Sequence, residues 1–150
     1  MAQTKLGENT VNTIGNLPAV GSVAPDFTLV DNALNSVSLN EFKGKKVVLN
    51  IFPSIDTGVC ATSVREFNKR ATSLDNTVVL SISKDLPFAF KRFCGAEGID
   101  KVVTLSDFRN TGFSKAYGME MTDGKMTGFF ARSIVVLDEN GKVKRSEEHT

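Results

Sequence analysis

Histidine is almost absent from this 150-residue chain; the only one is His149, next to last. A Ser-His-Asp triad, a Cys-His hydrolase and a zinc site of mixed Cys and His ligands therefore all lack an essential residue. Cysteine is scarce too. Cys60 and Cys94 are the whole set. That is too few for a disulfide scaffold in a chain long enough to build one domain with its own core. In a cytosolic protein, such a pair is more often catalytic or redox-active than structural.

Charge of one sign is also missing. With 18 Lys+Arg against 17 Asp+Glu, the formal net charge is +1, and no dense basic stripe stands out. This argues against nucleic acid and acidic membrane surfaces as partners. Long apolar runs are absent: Ile134-Val135-Val136-Leu137 is strand-sized, far short of a membrane span. The first eight residues, Met1 to Glu8, have no apolar signal core. A cytoplasmic location is the expectation.

What is present alternates between strand and helix patterns. Asp26–Val30 alternates like a strand, and Val37–Phe42 reads as a turn or short helical piece. Lys46–Phe52 is β-branched and nearly all apolar, as suits a central strand covered on both faces, and Pro53 ends it. Cys60, Val64, Phe67, Ala71 and Leu74 then recur with helical spacing. Asp56 and Thr57 are N-cap candidates just upstream.

Thr77–Ser83 reads as a second buried strand. Pro87 opens a helix through Cys94, closed by Gly95 or Gly98. A short strand at Val102–Leu105, a helix at Asn110–Tyr117, and strands around Met119–Met121 and Phe129–Leu137 follow. The alternation predicts an α/β fold with a mixed central sheet flanked by helices.

Cys60 is the pivotal residue. In a first helical turn it faces unpaired backbone N–H groups and the positive end of the helix dipole, both of which favour thiolate over thiol. On position alone it fits a reactive thiol or a packed structural one. Thr57 fits a plain N-cap, Pro53 a strand terminator, and Arg132 a strand-end charge reaching solvent. Cys94, amid Phe88, Phe90 and Phe93, fits the core. The Phe and Met residues between 88 and 130 read as core or dimer contact rather than as an access groove, and none is assigned to substrate.

The segment Asn50-Ile51-Phe52-Pro53-Ser54-Ile55-Asp56-Thr57-Gly58-Val59-Cys60 contains Pro-x-x-x-Thr-x-x-Cys. Further blocks are Asp85-Leu86-Pro87-Phe88-Ala89, Arg92-Phe93-Cys94-Gly95, Phe108-Arg109-Asn110, Ala116-Tyr117-Gly118 and Ala131-Arg132. On these, up to about Lys144, the chain resembles the bacterial thiol peroxidases, a subfamily of the peroxiredoxins. The resemblance implies a thioredoxin-like fold with an N-terminal β-hairpin and a C-terminal helix, which is expected to be missing here. It also implies a peroxidatic Cys60, a resolving Cys94 that joins it in an intramolecular disulfide, and a site completed by Thr57, Arg132 and Pro53.

The implied partners are hydrogen peroxide or alkyl and lipid hydroperoxides as substrates, thioredoxin as reductant, and a second copy of the chain in a homodimer. No cofactor or metal is implied. Cys60 on a helix start and Cys94 on a packed helix are not expected to meet in the reduced form, so local unfolding is expected on oxidation. Two alternatives stay open. A thioredoxin-like disulfide oxidoreductase usually carries Cys-x-x-Cys, but Thr57 takes the first position here. A non-enzymatic redox sensor is the other.

Residues 1–144 are expected to form one domain. Residues 145–150 are expected to be a non-native tail, because back-translation fits AGA TCG GAA GAG CAC ACG, the start of a sequencing-library adapter.

Overall fold

The computed structural model describes residues 3–6 and 9–149. The expected N-terminal hairpin is present: β1 (Gln3–Leu6) and β2 (Asn9–Asn12) pair antiparallel, with Thr4 opposite Val11. Seven further strands follow: β3 (Thr28–Val30), β4 (Ser36–Ser38), β5 (Lys46–Ile51), β6 (Thr77–Ser83), β7 (Val103–Ser106), β8 (Arg132–Leu137) and β9 (Val143–His149). They form one sheet in the order β4-β3-β7-β6-β5-β8-β9. Three α-helices are described: α1 (Gly58–Arg70), α2 (Pro87–Glu97) and α3 (Phe113–Tyr117).

β5, β6 and β7 run parallel, and α1 and α2 are their crossovers. Parallel neighbours need such long connections, and the connecting helices cover the sheet. β8 returns antiparallel beside β5, with Leu49 opposite Val135 and Ile51 opposite Ser133.

Side chains alternate across β5 and divide the core in two. Val47, Leu49 and Ile51 pack with Leu80, Ile82, Phe113, Tyr117 and Phe130 on one face. Val48 and Phe52 face the other, with Cys60 and Val64 of α1 and Phe90 and Phe93 of α2. Phe52 and Phe90 meet edge to face, centroids 6.3 Å apart. The near-continuous apolar reading of β5 is thus explained: both faces are buried.

Three expectations change. The apolar stripe of α1 stops short of Leu74, because Ala71–Ser73 tighten into a 3₁₀ turn and leave Leu74 exposed. α2 runs beyond Cys94 to Glu97, and Gly98, one of the two expected closing glycines, ends it in the left-handed conformation at φ 65°. Met119–Met121 does not form a strand but makes isolated bridges, Glu120 with Phe130 and Thr13 with Met121. The reason lies at Gly118, which has φ 70°, and where a Cβ would collide with the Asn16 carbonyl. The chain turns there under the backbone of residues 15 and 16, and positive-φ glycines 124 and 128 curl the next segment before a ladder can extend.

Residues 145–149, expected as a tail, lie in edge strand β9, with Val136 opposite Arg145 and Ile134 opposite Glu147. This pairing runs through backbone groups and does not depend on which side chains the strand carries. Thr150 lies outside the described residues. No helix among the described residues is long and apolar enough to cross a membrane.

Candidate active site

β5 delivers the chain to the site. It ends at Ile51; Phe52 and Pro53 are buried beneath the loop that follows, and α1 starts at Gly58. Thr57 is the N-cap. Its Oγ1 accepts from the Cys60 N–H at 3.4 Å and donates to the Ser54 carbonyl at 3.0 Å. Cys60 is the third residue of α1, with its side chain fully buried against Phe52 and Ile55. The shielding of the thiol is complete.

Asn50 secures this geometry from below. It is a polar residue buried on the α1 face of the central strand. Its Nδ2 donates to Ser63 Oγ (3.3 Å) and Ser81 Oγ (3.4 Å), and Ser63 Oγ donates to the Cys60 carbonyl (2.8 Å). A buried amide needs such partners. They tie the first turn of α1 to β5 and β6.

Arg132 opens β8. The next residue, Ser133, pairs with Ile51, so Arg132 stands across from Phe52 at the sheet end from which the Cys60 loop springs. Strand alternation puts it on the face of Val48, Asn50 and Phe52, which is the α1 face. Its Nε is buried and has no hydrogen-bond partner among the described residues. The fold thus brings Pro53, Thr57, Cys60 and Arg132 to one end and one face of the sheet.

Cys94 lies elsewhere on that face. It sits in the last turn of α2, and its carbonyl accepts from the N–H groups of Gly98 and Ile99 that close the helix. Its Sγ is 3.8 Å from Thr104 Oγ1. Thr104 donates its single hydroxyl hydrogen to Asn32 Oδ1 (2.7 Å), which leaves the Cys94 S–H as donor to Thr104. Both cysteines are free thiols. Ser63 places α1 over β5, whereas Cys94 is over β7. Two strand spacings amount to about 9–10 Å, beyond the roughly 4.4–6.8 Å Cα separation a disulfide spans.

Three charged residues have no individual role in the sequence reading, although Asp85 and Arg92 lie within the motif blocks. Asp85, in the turn after β6, accepts from Ser54 Oγ (2.8 Å) and from the Ile55 N–H (2.7 Å) of the Cys60 loop. Arg92 of α2 pairs with Asp56 at 3.1 Å. Asp107, after β7, is almost wholly buried with Oδ2 unpartnered. Burial pushes its carboxyl above the usual range, with Glu120 adding to the shift, while the Thr111 N–H and Lys84 pull it down. Among the described residues, no cluster of three or more His, Cys, Asp or Glu is arranged to hold a metal ion. A cleft of about 330 Å³ at the other end of the sheet, walled by Leu39, Phe42, Val47 and Leu137, contains neither cysteine.

Parallel β5, β6 and β7 crossed over by α1 and α2, flanked by antiparallel strands, with a free thiol at the start of α1, define the thioredoxin-like class. The Redoxin family pattern matches residues 19–150. A thiol peroxidase of Corynebacterium glutamicum is 54% identical over 143 residues, 95% of this chain and 86% of that protein. One from Mycobacterium bovis is 54% identical over 147 residues, 98% of this chain and 88% of that protein. A crystal structure of a peroxiredoxin-like protein from Aquifex aeolicus superimposes with a TM-score of 0.92 at 33% identity, covering 98% of this chain and 85% of that one. The chain belongs to the thiol peroxidases, enzymes of the peroxiredoxin class.

Proposed function

We propose that this enzyme reduces hydrogen peroxide and organic hydroperoxides through Cys60. The observation that carries the reading is Cys60 itself, buried at the start of α1 on the sheet end and face that Arg132 shares. The Cys60 thiolate attacks the terminal peroxide oxygen. A sulfur–oxygen bond forms as the O–O bond breaks, and the leaving oxygen takes a proton to depart as water or an alcohol. Cys60 becomes sulfenic acid.

Charge moves onto the leaving oxygen in this step, so donors aimed along the O–O bond accelerate it. Arg132 has a buried Nε–H with no acceptor among the described residues, and the Thr57 hydroxyl lies one turn from the sulfur. Pro53, buried at the head of the Cys60 loop, shields the sulfur.

Cys94 then attacks the Cys60 sulfenic sulfur. The S–S bond forms, the S–O bond breaks, and hydroxide leaves with the Cys94 proton as water. The two-strand separation means that one or both segments must first leave their places. The last turn of α2, held by bonds to the Cys94 carbonyl, is well suited to fray. Thioredoxin reduces the disulfide by thiol exchange.

The protein works in the cytoplasm as a homodimer. Leu86, Phe88, Phe108 and Phe129 supply exposed apolar surface around the site end for the second copy.

Stopped-flow mixing of reduced protein with cumene hydroperoxide tests the reading. Rapid loss of one thiol, abolished by Cys60→Ser but kept in Cys94→Ser, is expected, with turnover once thioredoxin and its reductase are added. Slow peroxide reaction with fast disulfide exchange would make the chain a disulfide oxidoreductase instead. Reactivity without turnover would make it a sensor.

A further inference from the structure

Asp85 occupies the turn between β6 and α2, and its carboxylate holds the loop that carries Cys60. Oδ1 accepts from the Ser54 hydroxyl at 2.8 Å, and Oδ2 accepts from the Ile55 N–H at 2.7 Å and from the Ser83 hydroxyl. Its own N–H donates to Ser83 Oγ at 3.0 Å, and its carbonyl accepts from the Ser106 hydroxyl. One residue thus gathers the Cys60 loop and the ends of β6 and β7, two positions before α2 begins at Pro87. From Ser54 the chain of bonds continues. The Ser54 carbonyl accepts from Thr57 Oγ1 and from the Thr57 N–H (3.1 Å), and Thr57 Oγ1 caps the Cys60 N–H.

We propose that Asp85 is a positioning residue. It sets the balance between the closed site, in which Cys60 meets peroxide, and the opened arrangement, in which Cys60 and Cys94 join. The inference rests on the proposed Cys60–Cys94 cycle. For the Cys60 loop to move, Ser54 and Ile55 must leave this carboxylate, and the helix bearing Cys94 hangs from the same turn. Bonds to an ionised, partly buried acceptor are the strong ones. Of the two ion pairs that also join these segments, Asp56 with Arg92 is about two-thirds exposed on both sides and Arg65 with Glu97 is partly exposed, so each contributes little. The Phe52–Phe90 contact lies beneath the loop, away from Ser54 and Ile55. Asp85 therefore favours peroxide attack, slows resolution, and lengthens the time in which the sulfenic acid can meet a second peroxide.

Asp85→Asn keeps the shape and removes the charge. Reduced wild type and variant are mixed with cumene hydroperoxide in a quenched-flow apparatus, alkylated, and read by peptide mass spectrometry for sulfenic acid, sulfinic acid and disulfide. The variant is expected to react with peroxide about tenfold more slowly, the factor that weakening one charged hydrogen bond implies. It is expected to convert sulfenic acid to disulfide faster by a similar factor, with less sulfinic acid at excess peroxide. Ser54→Ala should shift both steps the same way, by less.

A residue that merely supported the fold would slow both steps or leave both unchanged. Either result in Asp85→Asn overturns the proposal, as does the same result in Ser54→Ala if Asp85→Asn does not fold. Wild type that forms no Cys60–Cys94 disulfide overturns the underlying cycle as well, and the wild-type arm reveals this separately.

Discussion

Thr57→Val removes one oxygen from the site and keeps its shape. Two bonds go with it: the hydroxyl donation to the Ser54 carbonyl at 3.0 Å and the cap on the Cys60 N–H at 3.4 Å. A lost N-cap costs about 1 kcal/mol, and a lost hydrogen bond to a carbonyl roughly another 1 kcal/mol. For a domain of this size, each kcal/mol lowers Tm by about 2–4 °C, so a fall of about 4–8 °C is expected by thermal denaturation.

The expected loss of activity is larger than the stability loss alone implies. In the resting site the Thr57 hydrogen is spent on the Ser54 carbonyl; under the proposed function it turns toward the peroxide in catalysis. Losing one preorganised donor costs about a hundredfold in rate. Second-order rates with cumene hydroperoxide should fall by about that factor in Thr57→Val, with most of it recovered in Thr57→Ser. If Thr57→Val loses stability but keeps the peroxide rate within about threefold, Thr57 is a helix cap and nothing more.

Arg132→Met should slow the peroxide step by about a hundredfold with little loss of stability, because the Nε it removes is buried without a partner among the described residues. Arg132→Lys should restore only part of the rate, a point charge lacking the guanidinium fork. Phe90→Ala empties the contact with Phe52 between α2 and the sheet and should cost about 3–5 kcal/mol in urea unfolding. Asp107→Asn should change how stability depends on pH. The raised carboxyl of the folded state binds its proton more tightly than that of the unfolded chain. Wild-type stability therefore falls as pH rises from the ordinary aspartate range through the raised folded value, and stays reduced above it. The amide that replaces the carboxyl does not titrate, so the variant should gain on wild type across that window in Tm measured from pH 4 to 7.5. A gap that stays constant with pH would contradict the burial argument.

Parts of this architecture are legible in the sequence for simple reasons. β5 and α1 announce themselves because Pro53 ends one period and Cys60 begins another. Thr57 is readable as a cap, since capping is local. Arg132 is different: its neighbours in sequence show only a strand end, and its place beside the Cys60 loop depends on β8 pairing with β5. Only the resemblance pointed to it.

Asp85 looks like an ordinary turn residue, because its partner Ser54 is 31 positions away. Asn50 is visible as a polar residue inside an apolar strand, but its reason, the path through Ser63 to the Cys60 carbonyl, exists only once α1 has docked. The strand expected at Met119–Met121 fails because a backbone crossing at Gly118, not local pattern, decides that segment.

Under the proposed function, Cys60 is the sulfur that meets peroxide. Labelling the sulfenic acid tests it most directly. Reduced Cys94→Ser protein receives one equivalent of hydroperoxide in the presence of dimedone, and its peptides are then analysed by mass spectrometry. The account predicts stoichiometric adduct on the peptide that carries Cys60, and none in Cys60→Ser protein, where Cys94 is the remaining thiol. Adduct on Cys94 in that second protein at a comparable rate, or no adduct on Cys60 in the first, would contradict it.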